Sequence, residues 1–238
     1  MSAKAKRHAG EYAANLARGG MLLGLGTGST AACAIGRLGE RISEEGLRIT
    51  GIPTSRSSEE LARKAGIPLE EPRPDRYVDL YIDGADEVDA AGRLIKGGGG
   101  ALLREKVVAV HSRYRVIVAD PSKHVETLGR AFPLPVEVVP FGHALTAAHL
   151  HDCTGAEPVL RVDKTGTPVT TDNGGFVYDC HFPTGIADPG AVASALDGIV
   201  GVIEHGLFIG LCDLLVTGNE DGVETARITE TMPGTVGT

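Results

Sequence analysis

What this chain lacks narrows it before any motif is read. It has no C-x-x-C pair: Cys33, Cys153, Cys180 and Cys212 stand apart, in stretches that read as core or strand. That spacing argues against a zinc site and a disulfide framework, and leaves buried or half-buried thiols as the expectation. It lacks an excess of positive charge, since 23 basic and 31 acidic residues give a formal charge of −8 over 238 residues. No nucleic-acid stripe is expected, and any phosphate must be gripped locally by backbone amides and a few cations. It lacks a long apolar run: the most apolar late stretch, residues 199–216, is broken by Glu204, His205 and Asp213, which argues against a membrane span. The opening M-S-A-K-A-K-R-H-A-G carries charge with no apolar segment behind it, so no signal peptide is expected and the cytoplasm is the default location. No internal repeat is visible.

What is present is alternation of strands and helices. Residues 3–18 carry Ala13, Leu16 and Ala17 on a helical period and stop at Gly19-Gly20. Residues 21–25 read as a short buried strand, and G-L-G-T-G-S-T, residues 24–30, leads into a second helix. A strand at 47–52, a helix ending at Gly66, a short edge strand at 67–69, a strand with Val78, Leu80 and Ile82 alternating, and a strand at 115–120 follow. Such repetition predicts a parallel sheet with helices on both faces. At F-P-L-P-V-E-V-V-P-F-G, residues 132–142, prolines bracket a strand and mark passage to a second unit. There the pattern is strand 136–139, helix 143–150, strands 158–162 and 175–181, helix 190–196 and strand 202–208, the β-α-β-β-α-β order of a ferredoxin-like domain. Residues 211–216 are expected to return to the first sheet, and the tail from Gly218 carries no periodicity. The expected fold is α/β: a Rossmann-like, mostly parallel sheet with helices on both faces over 1–131 and 209–238, plus a smaller ferredoxin-like α+β domain over 132–208.

The chemistry concentrates between Asp83 and Lys106, which reads D-G-A-D-E-V, a spacer, then K-G-G-G-G-A-L-L-R-E-K. Asp83 and Asp86 fall at the end of a strand, where open α/β sheets bind ligands. Glycines 97–100 are poor helix interior but can bring bare N–H groups to an anion at the start of the next helix. Glu105 projects from that helix, Lys96 stands before the turn, and Lys123 lies past the end of the 115–120 strand. The earlier turn offers the hydroxyls of Thr27, Ser29 and Thr30 and the amides of its glycines; it is neither a dinucleotide fingerprint, because Ser29 stands where Gly is needed, nor a Walker A loop. This set suits proton movement on a small phosphorylated polyol. A carboxylate takes a proton from carbon beside a carbonyl, and a cation or donors stabilise the enediolate that forms. Two other readings stay open: a magnesium site at Asp83, Asp86 and Glu87, and purely structural turns. His149, His151 and Asp152 are a weaker metal candidate.

In order, G-L-G-T-G-S-T-A, Y-I-D-G-A-D-E-V, K-G-G-G-G-A-L-L-R-E-K, A-D-P-S-K, F-P-L-P-V-E-V-V-P and E-H-G-L-F resemble the motifs of type A ribose-5-phosphate isomerases, over residues 10–216. The resemblance implies interconversion of ribose 5-phosphate and ribulose 5-phosphate through an enediol, without metal or cofactor, in a cytoplasmic homodimer whose partner is a small sugar phosphate. Carried over by motif, Glu105 is the base. Asp83 serves ring opening and hydroxyl protons, and Lys96 with Asp86 stabilises the enediolate and orients the sugar. Thr27, Gly28, Ser29, Thr30, Gly84, Ala85, Gly97, Gly98, Gly99 and Lys123 line the substrate. Gly100 stands where the family often has alanine, and the register of Lys6 and Arg7 against a family lysine is open. The alternative is a sugar-phosphate sensor on the same fold with catalysis lost.

Overall fold

The structure, a computed structural model, describes residues 3–228. In chain order it forms helix α1 (Ala3–Asn15), strand β1 (Leu22–Leu25), α2 (Ser29–Glu45), β2 (Thr50–Pro53), α3 (Arg56–Lys64), β3 (Leu80–Gly84), β4 (Glu87–Val88), β5 (Leu94–Ile95), α4 (Leu102–Val110), β6 (Arg115–Ala119), β7 (Leu134–Val138), α5 (His143–Thr154), β8 (Glu157–Leu160), β9 (Phe176–His181), α6 (Pro189–Asp197), β10 (Val202–His205), β11 (Leu207–Phe208), β12 (Leu214–Gly218) and β13 (Val223–Arg227). Local chemistry sets several boundaries. Ser55 and Ser58 form a reciprocal capping box at the start of α3. Asp188 caps α6 ahead of Pro189. Gly46 closes α2 in the left-handed region.

Two compact units result. The first takes the described residues up to Ala85, Arg104–Lys123 and those from Gly210 onward; the second takes Asp86–Leu103 and His124–Ile209. The stretches 86–103 and 124–131, expected with the larger domain, thus cluster with the smaller one.

The first unit carries a sheet in the order β13-β12-β6-β3-β1-β2. Its strands run parallel except β13, which is antiparallel to β12. The two-residue period of a strand sorts the side chains. Leu23, Leu25, Leu80, Ile82, Val116 and Val118 enter one core with Ala9 and Ala13 of α1, Ile35 and Leu38 of α2 and Ala62 of α3. Tyr81 and Asp83 therefore turn to the opposite face. There the Tyr81 ring and Val108 of α4 crowd Gly24 so closely that a Cβ on it would lie 2.7 Å from each. Helices cover both faces. Strand order runs from β1 to β2 on one side and to β3, β6 and β12 on the other, so the topological switch point lies between β1 and β3. In such sheets the crevice beyond the carboxyl ends of those strands is where ligands bind.

The second unit holds a fully antiparallel sheet, β10-β7-β9-β8, with α5 and α6 as the two crossovers. That is the ferredoxin-like order. Leu134, Val136 and Val138 of β7 meet Leu150 of α5, Leu196 of α6 and Tyr178 of β9 in its core. A smaller sheet, β11-β5-β4, belongs to the same unit.

Several details depart from or add to the sequence reading. The strand expected at 202–208 is two strands, because the chain leaves β7 for β5 at Gly206. A side chain there would come within 2.2 Å of the Lys96 carbonyl oxygen. The spacer after D-G-A-D-E-V is a hairpin of β4 and β5, whose turn is tied by the Asp89 carboxylate to the Ala91 and Arg93 amides and to the Arg93 guanidinium. The aperiodic tail contains β13, made regular by pairing with β12 rather than by its own pattern; residues 229–238 lie outside the described residues. Cys153 is exposed, against the expectation of a buried or half-buried thiol, whereas Cys33 is half-buried as expected. Cys180 and Cys212 are buried, and burial, with Asp179 and Asp213 beside them, pushes both thiols up to about 12. Among the described residues no helix is long and apolar enough to cross a membrane.

Candidate active site

In the first unit the site begins with a glycine that makes room for a carboxylate. The Gly26 N–H donates to the Ile82 carbonyl at 2.9 Å, extending the β1–β3 ladder by one bond. A Cβ on Gly26 would sit 2.2 Å from the Asp83 carboxyl group, so no other residue fits without displacing Asp83. Asp83 itself is fully buried at 0% exposure. Its Oδ1 accepts the Thr27 N–H at 3.0 Å and the Gly84 N–H at 2.7 Å, and its Oδ2 accepts the Tyr81 hydroxyl. Tyr81 and Asp83 are two apart on one strand, which puts them on the same face. The Tyr81 phenol is held well above the ordinary tyrosine pKa, first by burial and then by the negative charges of Asp83 and Glu105. Glu105, in the first turn of α4, is buried as well. Two desolvated carboxylates thus act on one phenol at the switch point.

The same turn leads into the N-terminus of α2. Gly28, at φ 96°, stands at the N-cap of α2, and no side chain caps the helix from there. Ser29 Oγ accepts the Lys6 ammonium at 2.7 Å. Thr27 is engaged elsewhere: its hydroxyl meets Thr54 at 3.1 Å and donates to Ser55 at 2.8 Å, so it braces the turn. Thr30 follows in the first turn of α2. Lys123 ends a short 3-10 turn after β6, its N–H bonded to the Asp120 carbonyl at 3.0 Å. Ser29 and Lys123 both follow carboxyl ends of parallel strands.

Lys6 is the residue the sequence left undecided. Its register is set one helical turn downstream, where Gly10 lets α1 close onto α2: a Cβ on Gly10 would lie 2.7 Å from Cys33 Cβ. Lys6 and Ser29 are each four residues earlier, so the contact at Gly10 and Cys33 repeats one turn back as a polar pair. The spacings K-x-x-x-G and S-x-x-x-C were the signal.

The second unit carries the other candidates. The Asp86 N–H donates to Ile95 at 2.8 Å, fixing Asp86 at the head of the β4–β5 hairpin. Its Oδ2 accepts the Gly98 N–H at 2.8 Å. Lys96 is buried, with its backbone N–H on the Gly206 carbonyl at 2.9 Å and its ammonium 5.5 Å from the centre of the Phe208 ring. Gly97 and Gly100 take φ of 104° and 76°, which is why the run is glycine, while Gly98 and Gly99 are exposed. Gly84 and Ala85 end the first of the chain segments that make up the first unit, just before Asp86.

Glu87 is removed from the magnesium reading. Its buried carboxylate accepts the Gly129 N–H at 2.6 Å, the Ala131 N–H at 3.0 Å and the Phe132 N–H at 2.7 Å, so it fastens a loop. The His149, His151 and Asp152 group does not assemble either; His151 Nδ1 lies 2.8 Å from the Ala156 carbonyl. Among the described residues only Asp197, Glu204 and His205 bring three ligand atoms together. There the Leu207 N–H donates to His205 Nδ1 at 3.2 Å, which leaves the neutral ring's proton on Nε2, facing Asp197 Oδ1 at 3.3 Å. Both ring nitrogens thus face protein partners, one an amide and the other a carboxylate.

The profile described as "Ribose 5-phosphate isomerase A (phosphoriboisomerase A)" matches residues 50–222. The chain belongs to the ribose 5-phosphate isomerase A family. It is 46% identical over 223 residues to ribose-5-phosphate isomerase A of Enterococcus faecalis, covering 94% of this chain and 97% of that one. It is 48% identical over 220 residues to that of Gluconobacter oxydans, covering 92% and 94%. The solved ribose 5-phosphate isomerase A of Methanocaldococcus jannaschii superposes with a TM-score of 0.88 at 40% identity, over 94% of this chain and 98% of that one. A D-ribose-5-phosphate isomerase in complex with phospho-erythronic acid gives 0.89 at 35% identity, over 94% and 97%. The buried Asp83, Tyr81 and Glu105 cluster lies wholly within the first unit.

Proposed function

We propose that this chain is an aldose–ketose isomerase that interconverts D-ribose 5-phosphate and D-ribulose 5-phosphate, acting as a cytoplasmic homodimer. The observation that carries the chemistry is the pair of buried carboxylates about Tyr81, at the switch point of a parallel sheet. Glu105 is the base that takes the proton from C2 of the open-chain aldose and returns it to C1. Asp83, held by two backbone amides and a phenol, opens the ring and handles hydroxyl protons. The charge that develops on the carbonyl oxygen calls for a fixed cation, and Lys96 takes that role with the amides of Gly97, Gly98 and Gly99. Asp86 orients the sugar. Ser29, Thr30, the amides after Gly28 and the ammonium groups of Lys6 and Lys123 hold the phosphate, whose binding energy positions the reacting carbons. Thr27, Gly84 and Ala85 shape the wall beside Asp83. A phosphorylated sugar acid such as phospho-erythronic acid places a carboxylate where an enediolate would carry its charge, so tight binding of that compound is expected.

A sensor would need only the phosphate grip. Burying the Glu105 carboxyl group carries a desolvation penalty, and a binding protein has no use for it. The deciding experiment follows ribose 5-phosphate in D₂O by NMR with the parent and Glu105→Gln. The parent yields ribulose 5-phosphate with deuterium at C1. Product without deuterium keeps the isomerase and makes the base a shielded one. Glu105→Gln loses about 10²- to 10⁴-fold in kcat with sugar-phosphate binding retained. Turnover near the parent's level would strip Glu105 of its role, and binding without any product in the parent would make the chain a sensor.

A further inference from the structure

Arg161 lies just past β8, in the second unit, and none of the sequence motifs contains it. Its guanidinium is mostly buried, at 16% side-chain exposure, and is held bidentately by Asp179 of β9. Its backbone is stitched in as well, with the Arg161 N–H on the Val177 carbonyl at 2.8 Å and its own carbonyl accepting from Val169 at 2.9 Å. A side chain fixed at both ends can hold something else still. Nη1 donates to the carbonyls of Gly97 and Gly98, each at 3.1 Å.

The geometry of one peptide plane gives this contact a consequence. The Gly97 carbonyl and the Gly98 N–H belong to the same peptide, and in a trans peptide they point in opposite directions. Arg161 takes the oxygen end of that plane, and Asp86 Oδ2 takes the hydrogen end at 2.8 Å. The Gly100 N–H also donates to the Gly97 oxygen at 2.9 Å. The plane is therefore pinned from both sides. The positive charge on its oxygen polarises the N–H that grips the carboxylate, as hydrogen bonds in series do. The approach is close: a Cβ on Gly98 would lie 2.8 Å from Asp86 Oδ1 and would displace that carboxylate from its present position.

We propose that Arg161 is a positioning residue that fixes the Asp86 carboxylate through the Gly97–Gly98 peptide. The proposal rests on the reading of Asp86 as the group that orients the sugar. Lysine cannot replace Arg161 here, because a single ammonium cannot hold Asp179 in a fork and reach two carbonyls at the same time.

The test is a double-mutant cycle on the full-length protein, with an amide readout beside the kinetics. Arg161→Ala is expected to lower kcat between about tenfold and 100-fold, as misplacing an orienting group does, with a smaller change in KM. In an Asp86→Ala background the same substitution costs little further, because the two act in series. Guanidinium ion at millimolar concentration restores part of the activity of Arg161→Ala, and methylammonium does not. Hydrogen exchange at the Gly98 amide quickens in Arg161→Ala while the amides of β7 and β9 keep their protection. If Arg161→Ala does not fold, Arg161→Lys carries the same measurements with the same signs. If Asp86→Ala turns over like the parent, the reading of Asp86 falls and takes the proposal with it. If Asp86→Ala is impaired but the two losses multiply, or Gly98 exchanges no faster, the proposal alone is overturned.

Discussion

The turn after β1 and the turn before α4 are both rich in glycine, both lead into a helix, and both donate a backbone N–H to an aspartate. They are stiffened by different means. The first is an extension of the sheet: the Gly26 N–H continues the β1–β3 ladder, and Gly26 lies against a carboxylate buried to 0% exposure. The second exposes Gly98 and Gly99 and is held by a side chain, Arg161, from the carbonyl side. Where a turn inherits rigidity from strands, backbone pairing is enough to pre-organise a carboxylate. Where it does not, a guanidinium with its own carboxylate partner can supply the same order.

Moving a methyl group into each turn should separate the two designs most sharply. In Gly26→Ala the new Cβ meets the Asp83 Cβ at 2.5 Å as well as its carboxyl carbon, and Asp83 is pinned by three donors. Neither can yield, so kcat/KM is expected to fall by about 100-fold or more, with a lowered melting temperature. In Gly98→Ala the methyl meets only the end of the Asp86 side chain, which can rotate away, and the loss should be nearer tenfold. Steady-state kinetics on both variants checks this. Equal losses would erase the distinction between a sheet-fixed and a side-chain-fixed turn.

The proposed phosphate end gives a milder contrast. Lys6 reaches Ser29 from another helix, while Lys123 sits on a tight turn directly after its strand. Removing either ammonium should raise KM by about tenfold, the equivalent of roughly 1.5 kcal/mol for a charge-assisted hydrogen bond, and leave kcat within a few-fold. Lys6→Ala should also loosen the α1–α2 contact near Gly10. An unchanged KM in Lys123→Ala would remove it from the phosphate grip.

Much of this was legible in the chain. The alternation of Val78, Leu80 and Ile82 placed Asp83 at a strand end, and the β-α-β-β-α-β order of the smaller unit followed from period alone. What stayed hidden depended on partners distant in sequence. Residues 223–227 have no pattern of their own and become a strand because β12 offers an edge. Glu87 reads like a third metal-binding carboxylate until the amides of residues 129–132 come back to it. Tyr81 reads as one more apolar strand residue, and only its register two before Asp83 turns its hydroxyl toward the site. Arg161 is separated from Gly97 by 64 residues, and no local rule connects them.

Tyr81 supplies the smallest and most specific expectation, because its proton reports on the sheet-fixed turn without any substrate. Folding holds that proton more tightly than the unfolded chain does, through burial first and then the charges of Asp83 and Glu105. Below the ordinary tyrosine pKa near 10, both states keep the proton and the contribution is complete. As pH climbs past that value the unfolded chain releases its proton while the folded chain retains it, so stability must fall with rising pH. Tyr114 and Tyr178, whose phenols burial also raises, add slopes of the same sign, and the difference between parent and Tyr81→Phe isolates this residue. At neutral pH the variant should lose about 1–3 kcal/mol, since Asp83 Oδ2 forfeits a buried donor. Between pH 10 and 11 the gap should narrow, because the variant has no proton to surrender there. Urea midpoints across that range decide it. A gap that stays constant would mean that the phenol ionises as readily in the folded protein as in the unfolded one, and that Asp83 is fixed by its two backbone amides alone.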